Sequence, residues 1–145
     1  MKEIMSACGV LCSGCAAYRG QERGLEYQKR AAAAWRRIYR MKVTPEQMAC
    51  GGCLAPDEEV FPSSLKCKAR NCCRAKDLSS CAGCDEAASC ALLAKAQSVW
   101  DGVPKIAAKL SPADLEAYAK PYLDHRRRLA AASAARHPAK RPGRT

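Results

Sequence analysis

The sequence predicts a small, mainly α-helical domain, stabilised by metal, with cysteine knuckles and short β-ribbons at most. Three observations carry that expectation. Eleven cysteines stand among 145 residues, and Cys12/Cys15, Cys50/Cys53 and Cys81/Cys84 are spaced C-x2-C. Two residues between thiolates let a tight turn aim both sulfurs at one tetrahedral ion. Apolar residues recur at helical spacing over 21–41, 86–100 and 112–130, while no stretch alternates as a long strand would. Large apolar side chains are scarce: one Phe and two Trp stand in a chain that is 48% hydrophobic, much of it alanine and cysteine. Alanine buries little area, and at ~25 cal/mol per Å² such a core is weak. Metal crosslinks would supply what it lacks.

The elements follow in order. Residues 6–18 read as a first knuckle, with Gly9 and Gly14 at its turns. A helix is expected over 21–41, with Leu25, Ala32, Trp35 and Tyr39 on its buried face and Ala31 and Ile38 at the edge. Arg23, Lys29, Arg30, Arg36, Arg37 and Arg40 fall on the opposite face. Thr44-Pro45-Glu46-Gln47 reads as an N-cap, a first-position proline and a capping-box Gln, opening a short turn before the Cys50/Cys53 knuckle. Pro56, Pro62 and Ser63-Ser64 make 54–66 loop. A helix is expected from Glu86 to Val99 or Trp100, broken by Asp101-Gly102-Val103-Pro104. Ser111 caps a last helix carrying Leu115, Tyr118 and Tyr122 on one face, with a kink at Pro121. The division that results is a cysteine-rich metal-binding domain over 1–110, a C-terminal helix over 111–132 and a basic disordered tail over 133–145.

No segment approaches the ~18 consecutive apolar residues of a membrane span. The opening Met1-Lys2-Glu3-Ile4-Met5 leads to Cys8 without a signal-peptide core, so a cytoplasmic protein is expected. Its reduced thiols then favour metal over disulfides, as does their odd number. The net charge of +11 is concentrated in two places. Residues 19–42 hold eight Lys/Arg against two Glu, and 121–145 hold seven against Asp124 alone.

Ten cysteines are candidate ligands, grouped as Cys8/Cys12/Cys15, Cys50/Cys53, Cys67/Cys72 and Cys81/Cys84/Cys90. Eight would fill two four-sulfur zinc sites, and the spacing does not say which groups combine. Cys73 is expected to be a free thiol, since adjacent Cys72 already points one way. His125 and His137, the only histidines, are expected to be solvated in the basic C-terminal region. The sites should therefore be all-sulfur, which keeps an iron-sulfur cluster as the alternative to zinc.

Other chemistries find little footing. Cys8, Cys12 and Cys15 have the C-x3-C-x2-C spacing of radical S-adenosylmethionine enzymes, but 145 residues lack the length and strand–helix alternation of their barrel. No βαβ pattern supports a thioredoxin-like reading, and no G-x4-G-K-S/T loop is present. Asp57-Glu58-Glu59 and Asp85-Glu86 are explained as a solvated loop and a helix start.

Taken in order, the motifs resemble the prokaryotic cysteine-rich family known as domain of unknown function 3795. Cys8-Gly9-Val10-Leu11-Cys12-Ser13-Gly14-Cys15-Ala16-Ala17-Tyr18 is similar to its opening C-G-L-x-C-x-x-C-x-x-Y, and Trp35 sits like the tryptophan of its first helix. Cys50-Gly51-Gly52-Cys53-Leu54, Cys67-Lys68-Ala69-Arg70-Asn71-Cys72 and Cys81-Ala82-Gly83-Cys84 with Cys90 are similar to its C-x-G-C-L, C-x-I-R-x-C and C-x-x-C…P-C. Ala69, Cys73 and Ser89 depart from that pattern without touching the expected ligands. The resemblance covers about residues 4 to 100 and implies a small zinc-binding domain of unknown activity, with no catalytic residue to carry over.

Two functions compete on these grounds. One is a metal-stabilised module that binds nucleic acid or protein through the basic helix face and tail. The other is a metal- or redox-dependent enzyme or accessory protein. Closed four-cysteine sites without a neighbouring His or Glu base weigh against an open catalytic zinc.

Overall fold

The computed structural model describes residues 3–136. Among them there is no strand, and the one β feature is an isolated antiparallel bridge between Met5 and Leu11. Helices and 3-10 turns make the fold, as the sequence predicts.

The bridge closes the first knuckle. Ser6 N–H donates to the Val10 carbonyl at 2.8 Å, and Val10 N–H donates to Ser6 Oγ at 2.9 Å. Gly9, at φ +105°, makes the turn between them. A 3-10 turn over Cys12–Gly14 leads directly into α1 (Ala16–Arg23). The single helix expected over 21–41 is thus two helices, α1 and α2 (Leu25–Tyr39). Gly24 separates them at φ +84°, and its N–H closes α1 on the Gly20 carbonyl at 3.2 Å. That break leaves Leu25 52% exposed, against the expectation that it faces the core. The buried stripe of α2 is Ala31, Ala32, Ala34 and Trp35.

Thr44 forms the expected capping box. Its hydroxyl accepts from Gln47 N–H at 3.4 Å and its own N–H donates to Gln47 Oε1 at 2.9 Å. The resulting 3-10 turn, Pro45–Met48, packs on α1 and α2. The loop over 54–66 contains 3-10 turns at Asp57–Glu59 and Pro62–Lys66.

Three further differences concern the second half. A helix that the periodicity did not announce, α3 (Lys68–Ala75), lies between the cysteine motifs. Its inward residues are Ala69, Arg70 and Cys73, too polar a set to read as an apolar stripe. The helix expected from Glu86 begins only at Ala91, because Cys90 is extended after a 3-10 turn over Ala87–Ser89; α4 spans Ala91–Ser98. Beyond α5 (Val103–Ala107) and α6 (Pro112–Asp114), the chain widens into a π turn at Leu115–Ala119 and a 3-10 turn at Lys120–Tyr122. Pro121 interrupts the helix as expected. The interruption is longer than a kink, since Leu123 is extended and Asp124 has φ +58°. The last helix, α7 (His125–Arg136), runs through 133–136, which the sequence placed in a disordered tail. Residues 137–145, His137 included, lie outside the described ones.

Bulk is concentrated in one aromatic cluster. Trp35 meets Tyr39, Phe61 and Tyr122 edge-on, with centroids 5.3–6.3 Å apart, and Trp100 stacks on Tyr122 at 4.8 Å and 4°. Elsewhere the core is mostly alanine and cysteine with a few aliphatic side chains, Val10, Val43, Met48, Leu93, Val103 and Leu129, and the largest of the most deeply buried side chains are Arg70, Met48 and Cys73.

Small residues therefore set how closely elements approach. A Cβ on Gly9 would overlap the His125 carbonyl, and its φ would be strained for any other residue. Gly9→Ala should lower stability by at least about 2 kcal/mol, read as a shift of the urea midpoint. An unchanged midpoint would mean that α7 does not rest on this turn.

Candidate metal centre

The cysteines fall into two groups joined by two intermediates. In the first group, Cys12 lies within electrostatic range of Cys15, Cys50 and Cys53. The knuckle at Cys12 and Cys15 thus faces the knuckle at Cys50 and Cys53, a pairing that the spacing left open. It is held by the Cys50 N–H, which donates to the Ala17 carbonyl at 2.9 Å. Backbone donors point at the sulfurs. Cys50 Sγ accepts from Gly52 and Phe61 N–H, both at 3.4 Å. Cys12 receives the Cys53 N–H, and Cys15 those of Ala17 and Tyr18. Such donors offset the negative charge of a ligating thiolate.

Burial nevertheless dominates in the metal-free chain. It pushes the Cys12 and Cys15 thiols up, and brings Cys53 to about 11, with Cys8 and Cys67 adding repulsion there. Without a cation among them these groups stay protonated at neutral pH. A bound ion would have to displace those protons.

The second group gathers around α3 and the turn at Cys81–Gly83. Cys72, Cys73, Cys81, Cys84 and Cys90 line one cavity of about 150 Å³. Lys76 stands at its edge, with Nζ 3.7 Å from Cys84 Sγ and 3.8 Å from Glu86 Oε2. Cys73, expected to be free of the site, lines it, 2% exposed and 3.5 Å from Cys81 Sγ. Cys8 and Cys67 lie between the groups: Cys53 is within electrostatic range of both, Cys81 of Cys8 and Cys73 of Cys67. Among the described residues, no three His, Cys, Asp or Glu side chains already converge as tightly as a bound ion requires. Ligation at either group would draw the sulfurs inward.

Gln97 of α4 and the segment after α5 brace this arrangement, which little in the sequence announces. Tyr122 Oη lies 2.9 Å from Cys15 Sγ. Arg128 donates to the Gly9 carbonyl at 2.7 Å, and Gln97 donates to the Cys8 carbonyl at 3.2 Å. His125, expected to be solvated, is 6% exposed with Nε2 3.0 Å from the Gln97 carbonyl. A carbonyl only accepts, so Nε2 carries the proton and donates. His125 is buried because α7 packs on the Cys81 turn, a long-range contact that composition does not signal.

Arg70, the Arg of the Cys67–Cys72 motif, has a role that its place in the motif does not announce. Only 1% exposed, it donates from Nε to the Cys53 carbonyl at 2.5 Å and from Nη2 to the Ala55 carbonyl at 2.7 Å and to Asp57 at 3.1 Å. It thereby fixes the exit of the second knuckle from α3. Hydrogen bonds from Arg70, and then from Arg74, hold the Asp57 carboxyl below the usual carboxylate range.

The family described as "Protein of unknown function (DUF3795)" matches residues 4–95. The chain belongs to this family. No curated protein and no solved structure matches the chain. The DUF3795 match takes in all eleven cysteines, together with Trp35 and Arg70. The braces at Tyr122, His125 and Arg128 lie beyond it.

Replacing Arg70 separates its hydrogen bonds from its ion pair. Arg70→Met should cost about 2–4 kcal/mol in chemical denaturation, because two carbonyls lose their donor. Asp57→Asn should cost much less, since Asp57 is itself exposed. Equal losses from the two changes would place the ion pair, and not the carbonyl clamp, at the centre of Arg70's role.

Proposed function

We propose that the protein is a metal-stabilised binding module whose cysteines hold zinc for structure. The observation that carries this reading is the placement of the sulfurs. Cys8, Cys12, Cys50, Cys73 and Cys81 are buried where a domain of this size would ordinarily place large apolar side chains, and Cys15, Cys53, Cys67 and Cys90 pack partly buried against them. Structural zinc contributes about 10–16 kcal/mol in small domains. A whole domain is stable by only about 5–15 kcal/mol. An ion binding only the folded arrangement can therefore decide whether this core forms. The ligands are drawn from Cys8, Cys12, Cys15, Cys50, Cys53, Cys67, Cys72, Cys81, Cys84 and Cys90.

An iron-sulfur cluster is the second reading, favoured by the cavity of about 150 Å³ beside five thiols, which is roomier than one ion needs. The two readings differ in colour and metal content: two colourless, tightly held zinc ions for the module, and a brown, iron-containing protein for the cluster.

The surface offers a place for an anionic partner such as nucleic acid. Arg23 and Arg30 flank the half-buried Tyr27 ring, with guanidinium carbons 5.2 and 6.0 Å from its centroid. Arg37 belongs less to this face, because it pairs with Asp114 at 3.0 Å. Phosphate backbones are held by such charge, with an affinity that falls steeply with salt.

Two experiments test this. A strong chelator with reductant should abolish most helical circular dichroism, and zinc should restore it; full helicity after verified metal removal would end the structural-metal reading. Arg23→Glu with Arg30→Glu should leave the melting temperature within a few degrees and weaken binding to single-stranded nucleic acid at low salt by tenfold or more. Absence of binding by the unmutated protein would remove nucleic acid as the partner.

A further inference from the structure

The five-thiol cavity holds more sulfur than one tetrahedral ion uses, and a close sulfur–sulfur approach at its wall involves the cysteine that the spacing had set aside. Two sulfurs bound to one zinc at about 2.3 Å, at the tetrahedral angle, stand about 3.8 Å apart. Cys73 Sγ and Cys81 Sγ are 3.5 Å apart. The two side chains already span nearly one edge of a coordination tetrahedron.

We propose that this cavity is a thiolate site for a soft divalent ion of the zinc class, separate from the group at Cys12, Cys15, Cys50 and Cys53, and that Cys73 is one of its ligands. The inference rests on the reading of the cysteines as metal ligands and adds an eleventh to them. A buried cysteine acting only as a small apolar side chain would be packed against carbon. Cys73 instead presents its sulfur to a second thiol at the wall of a cavity. Water occupies ~30 Å³ in the liquid, so a volume of about 150 Å³ leaves room for an ion and for the sulfurs to close on it. Four thiolates around a divalent ion carry a net double negative charge. The Lys76 ammonium, 3.7 Å from Cys84 Sγ, is placed to offset part of it. Two adjacent residues of α3, Cys72 and Cys73, both reach the cavity, the first from its half-exposed side and the second from its buried side.

The test uses the full chain loaded with cadmium as a spectroscopic stand-in for zinc. NMR correlation between bound cadmium and cysteine Cβ protons should connect Cys73 and Cys81 to the same ion. A cadmium coupled to Cys81 and Cys84 but not to Cys73 would overturn the assignment. Loss of an outer-shell partner already costs a metal site about 10–100-fold in affinity. Cys73→Ala should therefore weaken this ion at least tenfold in chelator competition, while the ion held by Cys12, Cys15, Cys50 and Cys53 is retained. Unchanged affinity for both ions would return Cys73 to the role of a filler. If Cys73→Ala does not fold, the correlation in the unmutated chain still decides. Cadmium held by the first group alone would overturn this inference and spare the structural-metal reading; no bound cadmium at all would overturn both.

Discussion

Side-chain volume is the constraint on which this fold depends. With most of its bulk gathered in the aromatic cluster around Trp35 and Tyr122, many other contacts are made by backbones coming close. Ala16, Ala17, Ala31 and Ala32 are essentially inaccessible and let α1 and α2 meet over small side chains. Gly20 approaches the Met48 carbonyl so closely that a Cβ there would overlap it. Close backbone packing gains dispersion contacts, but it does not remove the apolar area that drives an ordinary core together. The sulfurs lie in the seams left between these elements, so a change in their protonation bears on the whole molecule.

The C-terminal segment supplies the reinforcement that the cysteine motifs lack. Tyr122 uses both of its characters, its ring against Trp35 and Trp100 and its hydroxyl on Cys15. Arg128 satisfies the Gly9 and Leu123 carbonyls, and Gln97 connects α4 to both Cys8 and His125. Buried polar groups are costly unless paired, and here the pairing itself determines where the segment sits. The DUF3795 match stops short of Gln97, so this chain's knuckles are buttressed by residues outside the part that defines its family.

Local rules made much of this readable. The capping box at Thr44, the Ser111 cap, the break at Pro121 and the absence of strands among the described residues all follow from residue types at fixed offsets. The break at Gly24 was equally local, yet strong helical spacing on both sides masked it. What escaped the sequence was long-range. Nothing near His125 says that it will be buried under Gln97, and nothing near Arg70 says that two carbonyls of a preceding loop will desolvate it. For the candidate site, spacing picks out the cysteines but not which of them come together. The facing of Cys12 and Cys15 with Cys50 and Cys53, and the approach of Cys73 to Cys81, depend on how α1 and α3 pack.

The bond between Tyr122 and Cys15 spans 107 positions of the chain. A ribosome adding about 5–20 residues per second needs roughly 5–20 seconds to pass from one to the other. Once it leaves the exit tunnel, the first knuckle stands without its aromatic cover until Tyr122 follows, and its thiols are open to their surroundings. The order of synthesis thus sets a window in which its cysteines meet the cell before they meet the rest of the protein.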